Sequence, residues 1–198
     1  MRLSIHRTLA LPIVILGLTA VAAGVASAQD VYKVNYFSNN TVAGAPDATV
    51  RIDNPGLTYG NLCAMIYVFA ADQQMAECCG CMQSHNNLTT YSVAGNLASP
   101  ARTLTGEFTP SGVIKIVSAA PVGGVCDPTT GVTPKSNLRA WATHIQNNVG
   151  TAFPITETEF SDSTLGATEL ANLQAQCAFI NILGSGFGIC SCGSGAVD

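Results

Sequence analysis

Leu62 to Ala70 reads LCAMIYVFA, and shortly after it Glu77 to Cys81 reads ECCGC. The first stretch is short, nearly all apolar and rich in β-branched and aromatic residues, so it predicts a central strand covered on both faces. The second packs three cysteines into four positions. In extended chain Cys78 and Cys79 point to opposite sides and must bond different partners. A β fold fastened by sulfur is the expectation from which the rest of the chain is read.

Outward from this centre the same chemistry repeats. Val31 to Phe37 (VYKVNYF) and Ala48 to Ile52 (ATVRI) are predicted strands, divided by Asn39-Asn40 and by Gly44-Ala45-Pro46-Asp47 and closed by Asp53-Asn54-Pro55-Gly56. Leu88 to Val93 alternates, Glu107-Phe108 begins a short strand, and Val113 to Val117 (VIKIV) is two-faced with Lys115 facing outward. Met82 to Asn87 reads as a polar loop, and Ala119 to Asn137 as a long loop pinned at Cys126. Leu138 to Ile145 places Arg139, Trp141, Thr143 and Ile145 on one side. Phe153 to Phe160 (FPITETEF) has no clean apolar face and contains Pro154, which predicts an edge strand. The period then changes. Leu170, Leu173, Cys177 and Ile180 form one stripe of a helix over Thr164 to Leu183, with Thr164 or Thr168 as its cap and Gly184 as its stop. The expected fold is mainly β, an antiparallel β-sandwich (Ig-like in broad architecture) over 29–161, with a C-terminal helix and cysteine-bearing tail over 162–198.

Residues 1–28 have the three parts of a secretory leader: Arg2 and Arg7, the uncharged apolar run Leu9 to Val25, and Ala26-Ser27-Ala28 as a cleavage site before Gln29. A secreted, periplasmic or cell-surface location follows, with no membrane attachment after leader removal. The leader holds two of the eight basic residues and none of the twelve acidic ones, leaving six against twelve, or −6. So few scattered cations exclude a nucleic-acid partner.

In an oxidising compartment the eight cysteines are disulfide candidates: Cys63, Cys78, Cys79, Cys81, Cys126, Cys177, Cys190 and Cys192. The tail is expected to fold back, one of its cysteines pairing with Cys177 or with the 78–81 cluster, which leaves Cys63 and Cys126 for that cluster. Spacing alone cannot choose among the 105 connectivities. Two other uses of sulfur compete. Cys78, Cys81 and His85, with Met75 and Met82 nearby, form a soft ligand set for Cu or Zn, and four thiolates from both clusters are a further Zn set. Cys78 to Cys81 is also a C-x-x-C, but it lacks the helix start that lowers the pKa of an exchange thiol.

No G-x-S-x-G, H-E-x-x-H or phosphate-cradling loop occurs, and no cofactor is expected. His144 reads as structural and His85 as solvent-exposed. Glu157 and Glu159 are a candidate carboxylate pair for sugar hydrolysis. Asn39-Asn40-Thr41 and Asn87-Leu88-Thr89 match the N-glycosylation pattern, an incidental match behind a bacterial-looking leader. The segments Cys63 to Phe69, Glu77 to Cys81, Leu138 to Gln146 and the LGSGFGICSC of the C-terminal part (Leu173 to Cys192) resemble secreted cysteine-containing bacterial proteins. That resemblance implies a compact stapled domain and carries no activity, substrate or functional residue. The expected function is that of an exported non-enzymatic structural, adhesion or surface-assembly module, self-associating or meeting a surface partner through its edge strands. The alternatives are a metal-binding module using Cys78, Cys81 and His85, and a carbohydrate-active enzyme using Glu157 and Glu159.

Overall fold

A computed structural model describes residues 30–57, 60–99, 103, 109–147, 149–182 and 188–193. The leader at 1–28, the strand start at Glu107-Phe108 and the helix stop at Gly184 lie outside the described residues. The strands are β1 (Tyr32–Ser38), β2 (Thr49–Asn54), β3 (Leu62–Ala70), β4 (Met75–Gln83), β5 (Asn87–Ser92), β6 (Ser111–Ala120), β7 (Thr133–Pro134), β8 (Arg139–Ile145), β9 (Ile155–Glu159) and β10 (Ser161–Asp162). A single π-type turn (Val93–Leu97) follows β5, and the helix α1 spans Ala167–Ile182.

The strand order is β4-β3-β6-β1-β8-β2-β5, with β7 on β6, β9 on β8 and β10 on β1. All pairings are antiparallel except β1 with β8, which meet in parallel at Ser38 and His144. In place of two separate antiparallel sheets, one mixed sheet curls until its two halves face each other.

The alternation of β3 shows why. Leu62, Ala64, Ile66 and Val68 point into an inner core shared with Ile114 and Ile116 of β6, Val50 and Ile52 of β2, and Tyr91 of β5. Cys63, Met65 and Tyr67 point the other way, into an outer core completed by Tyr32, Val117, Leu173, Cys177 and Ile180. An all-apolar strand is stable only with both faces covered. Each fully buried Ile, Leu or Val here contributes roughly 1.5–3 kcal/mol.

The outer cover is α1. Its stripe of Leu173, Cys177 and Ile180 is buried, and Leu170 sits half-buried at the margin. The helix starts at Ala167, so Gly166 occupies the capping position rather than Thr164 or Thr168. Glu169 in the first turn suits the positive end of the helix dipole. It accepts hydrogen bonds from Lys115 Nζ at 2.7 Å and Tyr32 Oη at 2.8 Å. Those two donors hold its carboxyl below the usual glutamate range. Lys115 does face outward, yet it meets the helix and the ring of Phe69, whose centroid lies 4.9 Å from Nζ.

β4 is the main element absent from the expected strands. The chain is extended from Met75 through Gln83, including part of the expected polar loop, and pairs with β3 with a bulge at Val68/Phe69. Its signal is weak because Glu77, Gly80 and Gln83 interrupt any β-branched run, and cysteines supply the burial. Gly80 has a specific cause. The carbonyl oxygen of Cys126 lies 2.1 Å from where a Cβ at position 80 would stand. Gly80→Ala therefore pushes the loop around Cys126 off the sheet. The expected loss is about 1–3 kcal/mol, the usual cost of overpacking, read as a lower urea midpoint at unchanged slope.

Candidate interaction face and sulfur cluster

Four bridges join all eight cysteines: Cys63–Cys126, Cys78–Cys177, Cys79–Cys190 and Cys81–Cys192. The first four cysteines pair, in order, with the last four. Alternation along β4 assigns the faces. Cys78 points outward to Cys177 on α1, while Cys79 and Cys81 point inward to the tail. Cys78 and Cys79 thus take different partners, as their adjacency requires. Cys63 and Cys126 bond each other and not the 78–81 cluster, because Cys63 faces outward beneath the loop that carries Cys126. That loop is tied down again by the Tyr67 hydroxyl, which donates to the Pro128 carbonyl at 2.8 Å.

The tail is built into the sheet by backbone as well as by sulfur. The Cys78 amide donates to the Gly188 carbonyl at 2.8 Å, and the Cys190 amide donates to the Cys78 carbonyl at 3.2 Å. Ile189 lies in a parallel bridge with Cys78. On its far side the Ser191 amide donates to the Asn96 carbonyl in the π-type turn at 2.9 Å. The tail therefore spans the two ends of the strand order, β4 and the turn after β5. Gln83 strengthens the same closure. Its Nε2 donates to the Tyr91 hydroxyl at 2.6 Å, and its Oε1 accepts from Thr89 Oγ1 at 2.9 Å.

Two parallel bridges to one tail are not worth twice one. Closing the loop of sequence separation 111 with Cys79–Cys190 stabilises by roughly 5 kcal/mol in the chain-entropy relation. Once that bridge exists, Cys81–Cys192 closes a ring of about six residues and adds only about 2 kcal/mol. The double variant Cys81→Ala/Cys192→Ala should lose about that much, and Cys78→Ala/Cys177→Ala, whose bridge closes a ring of about sixteen residues through Cys79–Cys190, about 3 kcal/mol. Non-reducing guanidinium unfolding measures both.

The set Cys78, Cys81 and His85 is not brought together. Cys78 and Cys81 lie on opposite faces of β4 in separate bridges, and exposed His85 has Nε2 3.1 Å from the Gly56 carbonyl oxygen. A different group of sulfurs converges. The Sγ atoms of Cys79 and Cys81 are 3.6 Å apart, and those of Cys79, Cys81 and Cys192 all lie within 4.8 Å of one another.

Glu157 and Glu159 share the outward face of β9, a strand exposed along its whole length and paired with β8 alone. The register sets Glu159 opposite Trp141, Trp141 opposite Arg51, and Glu157 opposite Thr143. Arg51 reaches across β8 to form an ion pair with Glu157. With Leu88, these side chains and half-buried Trp141 line a shallow hollow of about 290 Å³. An exposed pair of this kind stabilises by at most about 1 kcal/mol, so it shapes the surface more than it holds the fold. The cross-strand meeting of Arg51 with Glu157 is the feature that sequence could not supply.

His144 is fully buried, as a structural histidine should be. Tyr36 stacks on it with ring centroids 3.9 Å apart, and its Nε2 lies 2.7 Å from Thr158 Oγ1. Its Nδ1 is buried without a hydrogen-bond partner among the described residues. Burial lowers its pKa below the ordinary 6.5. The folded state therefore prefers neutral imidazole. That contribution is complete above pH 6.5 and is lost as the pH falls from there toward the lowered folded value. Stability should decline as the pH falls below about 6.5. Urea titrations of His144→Phe should lack this decline.

The other face of Tyr36 is open. The residue is 49% exposed and, with Phe69, Gly112, Val113 and Lys115, borders a groove of about 700 Å³. No helix among the described residues is long and apolar enough to cross a membrane. No protein-family model, curated protein or solved structure matches the chain. What is established is a mainly β protein with one curled mixed sheet, a C-terminal helix and four disulfides.

Proposed function

We propose that the chain is an exported structural or adhesion module, in which the two facing halves of the sheet act as the layers of a β-sandwich and the β9 edge makes the contact. Four disulfides fit an oxidising compartment outside the cytoplasm. The observation that carries the contact is the unequal treatment of the edges. β4 is covered by the disulfide-bonded tail, whereas β9 is exposed throughout. Natural proteins cover or charge an edge to prevent pairing; β9 is uncovered and its Glu157 charge is ion-paired with Arg51, which leaves the edge available for strand addition by a second copy or a surface partner.

The hydrogen-bond phase of β9 makes this testable. Gln146 N donates to Pro154 O, and Phe160 N donates to Ala140 O. Even-numbered positions of β9 therefore bond β8, and the amide of Glu157 points away from it. Glu157→Pro should leave the β8 ladder intact and block strand addition, while Glu157→Gln should associate like the parent. Sedimentation velocity at rising concentration reads the difference. A parent that stays monomeric, and that binds no surface in a pull-down with cell-wall material, counts against the proposal.

One observation favours a carbohydrate-directed reading: Glu157 and Arg51 flank Trp141 in an open hollow, where an aromatic plane and forked polar groups suit a sugar ring. On that reading Glu157→Gln abolishes glycan hydrolysis or weakens glycan retention while leaving sedimentation unchanged.

A further inference from the structure

We propose that the molecule associates head to tail, the hairpin turn at 122–125 of one copy seating in the groove bordered by Tyr36, Val113 and Phe69 of a second copy. This contact uses the outer face of the sheet, leaves the β9 edge free, and does not depend on how that edge is used.

The groove is one row of the sheet. The registers set Tyr36 opposite Val113 and Val113 opposite Phe69, a line across β1, β6 and β3. Two rows along the same face, Tyr32, Val117 and Met65 are matched in the same way and share a core with Leu173, Cys177 and Ile180 of α1. The row of Tyr36, Val113 and Phe69 instead borders the open groove of about 700 Å³. Lys115, in the row between, is the only charged side chain lining it. An ammonium has three donors, so Lys115 keeps some beyond the one it gives Glu169. Asp72, in the adjoining turn, accepts from the Gln74 amide at 3.0 Å.

The turn is preset for such a contact. Gly123 and Gly124 have φ of +60° and +80°, the left-handed pair that a two-residue hairpin turn requires. The amides of Val122 and Val125 each donate to the other's carbonyl at 3.0 Å, and the next residue, Cys126, is bonded to Cys63. Little order is therefore left to impose on binding. Val122 and Val125 are 59% and 62% exposed, and a Cβ at either glycine would meet nothing within 4 Å, so the apex stands clear of its own chain. Asp127 lines the same small hollow as both valines. The Thr129 hydroxyl and amide donate to its carboxylate at 2.6 and 2.8 Å and hold it below the usual carboxylate range. An apolar apex beside a fixed anion thus matches an apolar row beside a cation.

The occupant has to be another copy. The turn is tied to β3 at Cys63, whereas Phe69 and Ala70 of the same strand line the groove. From Cys63 to Phe69 is about 20 Å of strand, and Met65 and Tyr67 between them share a core with α1. One chain therefore cannot bring its own turn to its own groove. Because two different patches meet, each pair of copies keeps one unused turn and one unused groove, and association runs on instead of stopping at a dimer. With only a short apex buried, the contact belongs to the small and reversible class.

The test uses the full exported chain with its four disulfides intact. Sedimentation velocity at rising concentration should show a steady rise in mass for the parent. The rise should persist in Glu157→Pro, which removes strand addition at β9. Val122→Asp/Val125→Asp in the turn, and separately Val113→Glu in the groove, should each abolish it. Ser111→Glu, at the rim of the groove, should do the same and guards against a folding failure in Val113→Glu. The decisive arm mixes the turn variant with a groove variant. One intact groove then meets one intact turn, so two chains that are each monomeric alone should form a one-to-one complex. A parent that stays monomeric, a rise lost in Glu157→Pro, or a rise that survives in either class of variant would overturn the proposal. So would a mixture in which no complex forms.

Discussion

A curled open sheet has two ends that must be sealed, and here the tail from Gly188 to Cys192 does it. On one side the segment is bonded to β4 through two disulfides and two backbone hydrogen bonds. On the other it reaches the carbonyl of Asn96 beyond β5. Ile66, Ile116, Ile52 and Tyr91 belong to strands from both halves of the sheet, and they share one inner core only because the ends meet. Everything on the outer face depends on this closure. With the inner core shut, the sheet offers α1 a firm surface, and Glu169 can gather Lys115 and Tyr32 at its margin.

Much of this was legible in the residues. LCAMIYVFA demanded two covers, and it has them: the opposite half of the sheet inside, and α1 with the Cys126 loop outside. The stripe from Leu170 to Ile180 announced the helix and the face it buries. Phe153 to Phe160 announced an edge strand through Pro154 and its lack of an apolar face. Adjacent cysteines at 78 and 79 announced opposite partners. In each case a local period or a steric rule carried the information.

What was not legible depends on long-range pairing. The parallel contact of Ser38 with His144 joins residues 106 apart in sequence, and no local pattern marks it. β4 was hidden because its inward positions are Glu77, Cys79, Cys81 and Gln83, a polar-looking series that becomes interior only when the tail and Tyr91 arrive. The pairing of Cys63 with Cys126 follows from the face of β3 and the path of a long loop, neither of which spacing reveals. At the surface, Arg51 and Glu157 lie on strands separated by β8, so their meeting needed the register first.

The connectivity also constrains how the molecule can be assembled. Cys63, Cys78, Cys79 and Cys81 all precede Cys126, Cys177, Cys190 and Cys192, and no bridge falls within either group. A chain delivered across a membrane from its N-terminus exposes four neighbouring thiols before any proper mate has emerged. An oxidant acting at once would trap them with one another. Correct maturation of such a chain calls for delayed oxidation or for an isomerase that undoes early mistakes, so its yield depends on the shuffling capacity of the host compartment as much as on its own stability.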